Sequence, residues 1–435
     1  MRCGFILTLL TIGLLPTVAW TDDWPQWLGP QRDGVWRESG IVKTLPKQLK
    51  VLWRAPLGAG YSGPSVVGDR IYVMDKVPAP EGSPKGIEHE RIVCLDANTG
   101  ESVWRHVFPT RYEVGYASGP RMTPTVHAGK LYAAGAMGQF FCLQADDGKI
   151  LWTKHYGKEY GWEINSWGVA SAPLVDGQKL LCLVGGKDNA CVVAFDKDTG
   201  KELWRSLQAA DPGYAPPIVY NEGGRRQLMI FTPFFLASLD PETGKKYWEQ
   251  EYKANASLTI AQPILEPDRR LLFVSSFYNG GMMMRLDANE PKASVLWRGQ
   301  SDSEIKTDGL HSLMCTAVIR GDHIYGIGSY GQLRCIELET GKRVWETFAA
   351  TGHGRWWNAF IIPHEDRYFI HNEQGELIIA HLSPDGYKED SRVQLIAPTG
   401  KVQGRDMVWS HPAFAHQRVF ARNDKEMVCV DLAAQ

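Results

Sequence analysis

Five short segments of this sequence carry ionisable or amide side chains, most of them beside aromatic rings, and chemistry is expected there. They are Arg121, Glu163-Ile164-Asn165-Ser166-Trp167-Gly168, His311-Ser312, Arg355-Trp356-Trp357-Asn358 and Arg405-Asp406-Met407-Val408-Trp409-Ser410-His411. Carboxylate and amide oxygens are ligands that calcium takes in proteins, and the face of a tryptophan ring packs against many flat molecules. A flat ligand held with calcium, a sugar and a peptide are all compatible with these residues.

Nine residues of these segments form the candidate ligand-binding set. They are Arg121, Glu163, Asn165, Trp167, His311, Trp357, Asn358, Asp406 and Trp409. If the chain is an enzyme, Asp406 or Glu163 is the candidate catalytic carboxylate, and Glu163 with Asn165 is the candidate calcium pair. Packing roles for the tryptophans and solvated or capping roles for the acids remain open alternatives. No zinc site is predicted, because His411 and His416 lack a third ligand at a recognisable spacing.

A segment that recurs along the chain must position these candidates. In its first clear copy, Leu95-Asp96-Ala97-Asn98-Thr99-Gly100 is followed by Trp104, four residues after the glycine. The same spacing joins Gly148 to Trp152, Gly200 to Trp204, Gly244 to Trp248 and Gly341 to Trp345. Repeats of roughly 40–50 residues indicate supersecondary units that stack because none can bury its hydrophobic face alone.

Each repeat is predicted to form a four-stranded antiparallel sheet. In the repeat that contains Trp152, turn-forming Gly, Asp and Asn residues separate four β-rich runs. The runs are Met122–Val126, Lys130–Ala134, Gln139–Leu143 and Lys149–Lys154. No clear helical periodicity follows the amino terminus. A four-stranded unit that is repeated radially is a propeller blade.

The Asp-x-x-Thr-Gly segment is predicted to be a turn. Its Asp or Asn side chain accepts hydrogen bonds from the turn, its Gly supplies a positive φ, and the Trp that follows fills the gap between blades. A calcium loop is the alternative for Asp96-Ala97-Asn98-Thr99-Gly100. That alternative lacks the later acidic ligand and the flanking helices of such a site.

Counting outer strands predicts an all-β fold, an eight-bladed β-propeller of four-stranded antiparallel blades. The structural tryptophans that mark seven outer strands are Trp53, Trp104, Trp152, Trp204, Trp248, Trp297 and Trp345. Ser391–Ala397 is a further outer strand without Trp. The last three strands, Val408–Phe414, Arg418–Ala421 and Glu426–Val430, lack an outer strand. Pairing them with the orphan first strand, Lys50–Ala55, closes the ring and removes its open edges.

The chain is divided into residues 1–19 as a signal peptide, 20–49 as an amino-terminal strap against the ring and 50–435 as a single propeller domain. Arg2 and the apolar run Phe5–Leu15 have the pattern of an export signal, and the run is too short to span a bilayer. No other segment of the sequence qualifies as a membrane span.

Composition narrows the classes of partner. The formal net charge of −2 gives no reason to expect nucleic acid or a charged membrane surface. The 16 tryptophans fit packing between blades. We therefore expect an exported monomer in a periplasmic or extracellular space, which binds a protein or a small molecule.

Four cysteines occupy one repeat position, and we expect buried thiols there. They are Cys94, Cys142, Cys335 and Cys429. Equivalent positions on packed sheets are about 10 Å apart, which a disulfide cannot bridge. Cys182 and Cys191 flank a hairpin turn, and because export permits disulfides a cross-strand bridge between them remains open.

The motif Asp-x-x-Thr-Gly-x-x-x-Trp resembles the outer-strand motif of quinoprotein-type propellers, the pyrroloquinoline quinone (PQQ) repeat proteins. The resemblance extends from Lys50 to Leu432. Two further segments are similar to those of secreted bacterial PQQ-like propellers: Trp24-Pro25-Gln26-Trp27-Leu28-Gly29-Pro30 and Gly115-Tyr116-Ala117-Ser118-Gly119-Pro120-Arg121. The family name does not imply the cofactor, because a fold does not determine a function.

The resemblance implies two alternative functions. In PQQ-dependent alcohol dehydrogenases, the quinone and a calcium ion occupy the central funnel with an Asp as base, and Trp167-Gly168 resembles the tryptophan floor under that quinone. The other alternative is similar to the propeller lipoprotein of the outer-membrane assembly machine, which offers its surfaces to partners.

Two motifs of the dehydrogenases are absent from this sequence. It has no adjacent Cys pair and no Cys-x-x-Cys-His for a c-type haem, and it lacks long blade insertions. We therefore expect a ligand- or protein-binding module that acts through the funnel face. A PQQ-dependent oxidoreductase with PQQ and calcium in the funnel is the alternative.

Overall fold

The computed structural model describes residues 22–114, 119–163 and 166–434. Eight four-stranded antiparallel sheets follow one another in chain order, and the eighth joins the two ends of the described chain. The predicted eight-bladed β-propeller is confirmed. The predicted signal peptide, residues 1–19, lies outside the described residues. In the described part of the chain, no helix is both long and apolar enough to cross a bilayer.

The strands are numbered in chain order, beginning with β1 (Lys50–Pro56). Blade 1 contains β2 (Ser65–Val67), β3 (Arg70–Val77), β4 (Glu88–Asp96) and β5 (Ser102–Thr110). Blade 2 contains β6 (Thr125–His127), β7 (Lys130–Ala134), β8 (Gln139–Gln144) and β9 (Ile150–His155). Blade 3 contains β10 (Leu174–Asp176), β11 (Lys179–Leu183), β12 (Val192–Asp196) and β13 (Glu202–Ser206). Blade 4 contains β14 (Ile218–Glu222), β15 (Arg225–Phe231), β16 (Phe235–Leu239) and β17 (Lys246–Glu251).

The second half of the ring repeats this pattern. Blade 5 contains β18 (Ile264–Glu266), β19 (Leu271–Ser276), β20 (Gly280–Leu286) and β21 (Ala293–Arg298). Blade 6 contains β22 (Val318–Arg320), β23 (His323–Ile327), β24 (Leu333–Glu337) and β25 (Arg343–Thr347). Blade 7 contains β26 (Ala359–His364), β27 (Arg367–Asn372), β28 (Glu376–Ser383) and β29 (Gly386–Gln394). Outside the blades lie the hairpin β30 (Gly400–Val402) and β31 (Arg405–Met407), the helix α1 (Tyr156–Tyr160) and a 3-10 turn at Asn255–Ser257. No helix was predicted at α1.

Blade 8 closes the ring as predicted. Its strands β32 (Ala413–Ala415), β33 (Arg418–Arg422) and β34 (Glu426–Asp431) pair in order, and β1 completes the sheet on the outer side of β34. The inner strand begins at Ala413 rather than at the predicted Val408. The reason is that the Val408 N–H donates to the Glu373 carbonyl oxygen of blade 7 at 2.7 Å.

Tryptophan and glycine of neighbouring repeats pack against each other between blades. The Trp104 indole N–H donates to the Ala145 carbonyl oxygen of the next blade at 2.8 Å. A Cβ on Gly148 of that blade would lie 2.5 Å from the Trp104 ring. The same packing joins Trp53 to Gly100, Trp152 to Gly200, Trp204 to Gly244 and Trp297 to Gly341. The single glycine of the motif is therefore required for two reasons: the turn needs it, and the tryptophan of the neighbouring blade leaves no room for a Cβ.

The turn interpretation of the repeat motif is confirmed. An oxygen of the Asp96 carboxylate accepts the backbone N–H groups of Asn98 at 2.8 Å and Thr99 at 2.9 Å. Gly100 has a φ of +75°, a conformation that glycine adopts at little cost. One oxygen of the carboxylate is thus used by the turn, and the other pairs with Arg70 at 3.3 Å.

The boundary between blades 7 and 8 is filled differently. Its outer strand β29 ends at Gln394, before the predicted Ser391–Ala397 run does, and Ser391 takes the place of the tryptophan opposite Ile379. The Ser391 hydroxyl accepts the backbone N–H of Leu45 at 2.8 Å. Trp36, 1% exposed, packs against Phe369 of blade 7 and Phe414 of blade 8. Side chains of the amino-terminal segment therefore supply the apolar filling at this boundary.

The same segment, residues 22–49, also crosses the central channel. Trp24 forms a two-way backbone bridge with Val66 of blade 1. Arg32 is buried and donates to the carbonyl oxygens of Ala172 and Pro173, which lead into blade 3. The backbone N–H of Trp36 donates to the Pro363 carbonyl oxygen of blade 7 at 2.9 Å. Because these blades lie on different sides of the ring, the segment blocks the channel.

The seven described cysteines are buried free thiols. Burial raises the pKa of Cys94, Cys142 and Cys429 to about 12, so these thiols stay protonated and unreactive. Cys182 pairs with Val193 in the β11–β12 ladder, and Cys191 lies before β12 begins. The hairpin is not symmetric, and the cross-strand disulfide left open by the sequence does not form.

Candidate functional site

The connections that lead into the eight inner strands meet around one end of the channel. Their side chains, with Phe360 of β26 and Trp27 of the amino-terminal segment, surround about 1020 Å³ of space that no protein atom fills. We call this space the funnel, and Trp27 forms its floor. Its lining residues are Trp27, Tyr61, Arg121, Trp167, Ala170, Tyr214, Pro216, Leu258, Ile260, Leu313, Met314, Trp356, Phe360, Trp409 and His411.

One register places side chains from seven blades in the funnel. In each of these blades, the fourth residue before the inner strand is a lining residue. The seven are Tyr61, Arg121, Ala170, Tyr214, Ile260, Met314 and Trp409. In blade 7 the fourth residue is Arg355, and its neighbour Trp356 lines the funnel instead. The position of a residue relative to the inner strand of its blade, rather than a local sequence motif, therefore determines whether it lines the funnel.

Four aromatic rings make successive contacts across the funnel. Ring centroids are 6.3 Å apart for Tyr61 and Trp409, and 6.5 Å apart for Trp409 and Trp356. Trp356 and Trp167 meet edge to face at 6.2 Å. Because they lead into blades 7 and 3, on opposite sides of an eight-bladed ring, their contact spans the funnel. The exposed ring faces offer stacking surfaces to a flat group.

Trp356 is fixed by its neighbours in an unusual conformation. Its φ of +68° is in the left-handed region, where a bulky residue is strained. The Arg355 guanidinium lies 4.6 Å from the Trp356 ring centroid and pairs with Glu304 at 2.6 Å. Glu304 also accepts hydrogen bonds from the hydroxyls of Tyr278 and Tyr330. Trp356 is one of fifteen described non-glycine residues with a positive φ, and it is the one among them that lines the funnel, which makes it a candidate functional residue.

Arg121 carries the only charge in the described funnel wall. Its guanidinium lies 5.3 Å from the Tyr61 ring centroid and donates to the carbonyl oxygen of Gly119. Burial lowers the pKa of Arg121, but a guanidinium remains protonated at neutral pH. Burial also lowers the pKa of His411 to about 4, so that ring is neutral.

A buried carboxylate lies behind the Arg121 side of the wall. Glu90 is fully buried, and burial raises its pKa to about 7, against the opposing effects of Tyr112, Ala136 and Arg121. The Tyr112 hydroxyl donates to it at 2.5 Å, and the Ala136 N–H lies 3.2 Å from both of its oxygens. Glu90 thus changes charge near neutral pH without lining the funnel.

A second buried carboxylate orients Trp409. Glu373 accepts the Trp409 indole N–H at 2.9 Å and pairs with Arg405 at 2.6 Å. The backbone N–H of Asn358 donates to the same carboxylate at 3.1 Å. Since Arg405 belongs to β31, this network also attaches the β30–β31 hairpin to blade 7.

Three of the nine candidate residues line the funnel: Arg121, Trp167 and Trp409. Asn165 lies outside the described residues. Glu163 is on the surface, where its side chain is 82% exposed and pairs with Lys187 at 2.8 Å. Asp406 is also exposed and pairs with Lys401 across the β30–β31 hairpin. The structure therefore does not bring the two candidate catalytic carboxylates into the funnel.

The other three candidates are packed in the protein. His311 is buried, and its ring nitrogens lie 3.2 Å from the Phe277 carbonyl oxygen and 3.2 Å from the Asp308 carboxylate. Trp357 packs against Gly352 and Arg405. Asn358 is 1% exposed. None of the three is a lining residue.

The sequence interpretation missed most of the apolar wall. Tyr214, Leu258, Ile260, Leu313 and Met314 were not selected, because apolar side chains in a connection resemble ordinary core residues. It also selected Trp357 instead of Trp356, since nothing in the dipeptide indicates which ring points into the funnel. The regular spacing before each inner strand is the signal that would have identified several of them.

The described wall does not fit a quinone held with calcium. Calcium takes oxygen ligands, mainly carboxylates, and the described lining contains no Asp or Glu. In the three described stretches of the chain, no group of three or more His, Cys, Asp or Glu side chains is arranged to hold a metal. One guanidinium is also a poor match for a ligand with several carboxylates.

Comparison with known proteins identifies a family that the chain matches over more than half of its length. Residues 88–347 match the family model described as outer membrane protein assembly factor BamB. The BamB of Burkholderia pseudomallei is 31% identical over 129 residues, 28% of this chain and 30% of that protein. The chain spans 30 to 51% of the length of the curated relatives it matches.

Solved structures share the fold. BamB from Moraxella catarrhalis has a TM-score of 0.58 at 14% identity, over 88% of this chain and 100% of that one. The quinohemoprotein alcohol dehydrogenase from Comamonas testosteroni has a TM-score of 0.63 at 13% identity, over 95% and 81% of the two chains. At these identities the likeness concerns the fold alone.

Proposed function

The chain belongs to the family described as outer membrane protein assembly factor BamB, and from that premise we propose that it is an exported binding module. Its funnel takes up an apolar, ring-bearing group of a small molecule or of a partner protein. The observation that carries this proposal is the wall itself, in which fourteen of fifteen described residues are uncharged and six are Trp or Tyr. Such rings dominate binding sites because they bury much area at little entropic cost.

Two features support a preformed site. The amino-terminal segment closes the channel beneath Trp27, so a ligand enters from the funnel side and meets a floor. Trp356 and Trp409 are each held from behind, by Arg355 with Glu304 and by Glu373. Groups that are already ordered lose little freedom when a ligand binds.

The test uses N-phenyl-1-naphthylamine, a neutral apolar probe that fluoresces in apolar surroundings. We expect saturable binding at one site, which Trp356→Gly weakens at least tenfold because one stacking surface is lost. Trp345→Phe is the matched control, since Trp345 packs between blades 6 and 7 through the Ser383 carbonyl. Absence of saturable binding, or equal binding by Trp356→Gly, contradicts the proposal.

The PQQ-dependent oxidoreductase remains the alternative function, and the aromatic rings around the funnel, which could stack on a quinone, are the observation that favours it. It is tested by supplying PQQ and calcium to the purified protein and recording the quinone spectrum and alcohol-dependent dye reduction. Because the described wall lacks carboxylate ligands, we expect neither signal. Stoichiometric quinone binding that Trp167→Ala abolishes would favour the enzyme instead.

A further inference from the structure

The funnel wall combines one cation with a continuous apolar surface. The buried carboxylate of Glu90 interacts with Arg121 from behind the wall and is not a lining residue. Arg121 therefore gives the described wall a net positive charge. In an apolar cavity such a charge attracts a single anionic group strongly, because little water screens it.

The cation and the rings are adjacent. Arg121 stacks on Tyr61 at 5.3 Å, and Tyr61 contacts Trp409 at 6.3 Å. A ligand whose anionic group contacts Arg121 therefore binds best if the rest of that ligand packs against the aromatic rings. Opposite this wall, Leu258, Ile260 and Leu313 offer only aliphatic contacts.

The shape of the funnel limits the ligand further. Trp27 closes it below, and the edge-to-face contact of Trp167 and Trp356 narrows it. The Trp356 ring is held in place by the Arg355 guanidinium beside it and by the hydrogen bond from the Trp356 backbone N–H to the Ser329 carbonyl oxygen. A flat body enters such a slot more easily than a globular one.

We propose that the funnel selects a flat aromatic ring system bearing a single carboxylate, with the ring against Tyr61 and Trp409 and the carboxylate on Arg121. This inference rests on the proposed function, since it assigns the chemical class of the ligand at the same site. It distinguishes this funnel from one that holds a polyanionic quinone with calcium.

The experiment compares three probes that share one ring system by isothermal titration calorimetry at pH 7.5. They are 2-naphthoate, neutral 2-naphthamide and cationic 2-naphthylmethylammonium. We expect 2-naphthoate to bind about tenfold to a hundredfold more tightly than 2-naphthamide, as a charge-assisted hydrogen bond gives. The ammonium probe should bind more weakly than both.

Variants assign the preference to one side chain. Arg121→Gln should bind 2-naphthoate and 2-naphthamide equally, while Arg121→Lys should keep part of the preference. Arg269→Gln is the control, because Arg269 is partly exposed, pairs with Asp322 and does not line the funnel. The comparison of the three probes in the unmodified protein remains decisive if Arg121→Gln does not fold.

The outcomes separate this proposal from the proposed function. If 2-naphthamide binds as tightly as 2-naphthoate and Trp356→Gly weakens both, the funnel binds rings but the carboxylate preference is wrong. If neither these three probes nor N-phenyl-1-naphthylamine binds, both proposals are wrong; if only N-phenyl-1-naphthylamine binds, the carboxylate preference alone is wrong. A preference for 2-naphthoate that persists in Arg121→Gln also overturns the assignment to Arg121.

Discussion

Among single residues, Trp356 combines a backbone conformation that local sequence disfavours with a position in the funnel wall. A non-glycine residue with a φ of +68° costs about 1–2 kcal/mol, and this cost is tolerated at a position where the ring lines the funnel and contacts Trp167 across it. The strain therefore makes Trp356 a position to test for function.

This strain gives a prediction with a definite sign. Trp356→Gly should be more stable than Trp356→Ala by about 1 kcal/mol, because both remove the ring but only alanine keeps the steric penalty. Urea unfolding of the two variants measures the difference. Equal stabilities, or a more stable alanine variant, would show that the backbone is relaxed at this position.

Glu90 predicts a pH dependence of stability. Burial raises its folded pKa from 4.5 to about 7, so between these values the unfolded chain has released the proton that the folded protein keeps. The free energy of unfolding therefore decreases as pH rises from about 4.5 to 7, by up to about 3 kcal/mol, and is level above. The groups facing it are the Tyr112 hydroxyl, the Ala136 N–H and the charges of Arg121 and Lys76.

The test replaces the titrating group with an uncharged one. Glu90→Gln should remove this part of the pH profile, measured by urea unfolding at several pH values between 4.5 and 8. The exposed Glu163→Gln should leave the profile unchanged. An identical profile for Glu90→Gln and the parent protein would show that Glu90 titrates normally.

Among the elements, the repeat motif has two roles: it forms a turn, and its glycine contacts the tryptophan of the neighbouring blade. Gly148 and Gly129 have nearly equal φ values, +74° and +75°, but only Gly148 packs against a ring, that of Trp104. Substitutions at these two glycines therefore distinguish the cost of the positive φ from the cost of the clash with the tryptophan ring.

We expect Gly129→Ala to destabilise the fold by about 1 kcal/mol, through its φ alone. Gly148→Ala should cost about 1–3 kcal/mol more, because the added methyl displaces Trp104. Chemical unfolding of both variants gives the comparison. If both cost the same, the tryptophan moves freely and the motif serves only the turn.

At the scale of the whole molecule, ring closure depends on β34. Val428 pairs with Arg54 of β1 on one side and with Ala421 of β33 on the other. The first strand of the ring therefore depends on a strand near the other end of the chain, and disruption of β34 opens the ring.

Val428→Pro should remove this closure. Proline lacks the N–H and cannot sit in a central strand, so the loss should be about 3 kcal/mol or more. Val428→Ala, which keeps the N–H, is the control for the lost side chain. Thermal unfolding that is equally cooperative and equally stable in both variants would show that the ring does not need this pairing.

The fold was open to prediction because its information is local and repeated. Asp96, Gly100 and Trp104 fix a turn and an outer strand within nine residues, and the same arrangement returns along the chain. The boundary between blades 7 and 8 broke the pattern, because there the filling comes from Trp36 and Leu45, far away in the sequence.

The number of blades, the closure of the ring and the role of the repeated turn could all be predicted from the order of the amino acids. The side chains that face the funnel became known only from the folded ring. It placed Glu163 and Asp406 on the surface and Tyr214 and Met314 in the wall, since a connection has no periodicity of its own. The physical reason is that a turn is set by neighbouring residues, whereas the funnel is formed by eight distant connections that meet only when the ring closes.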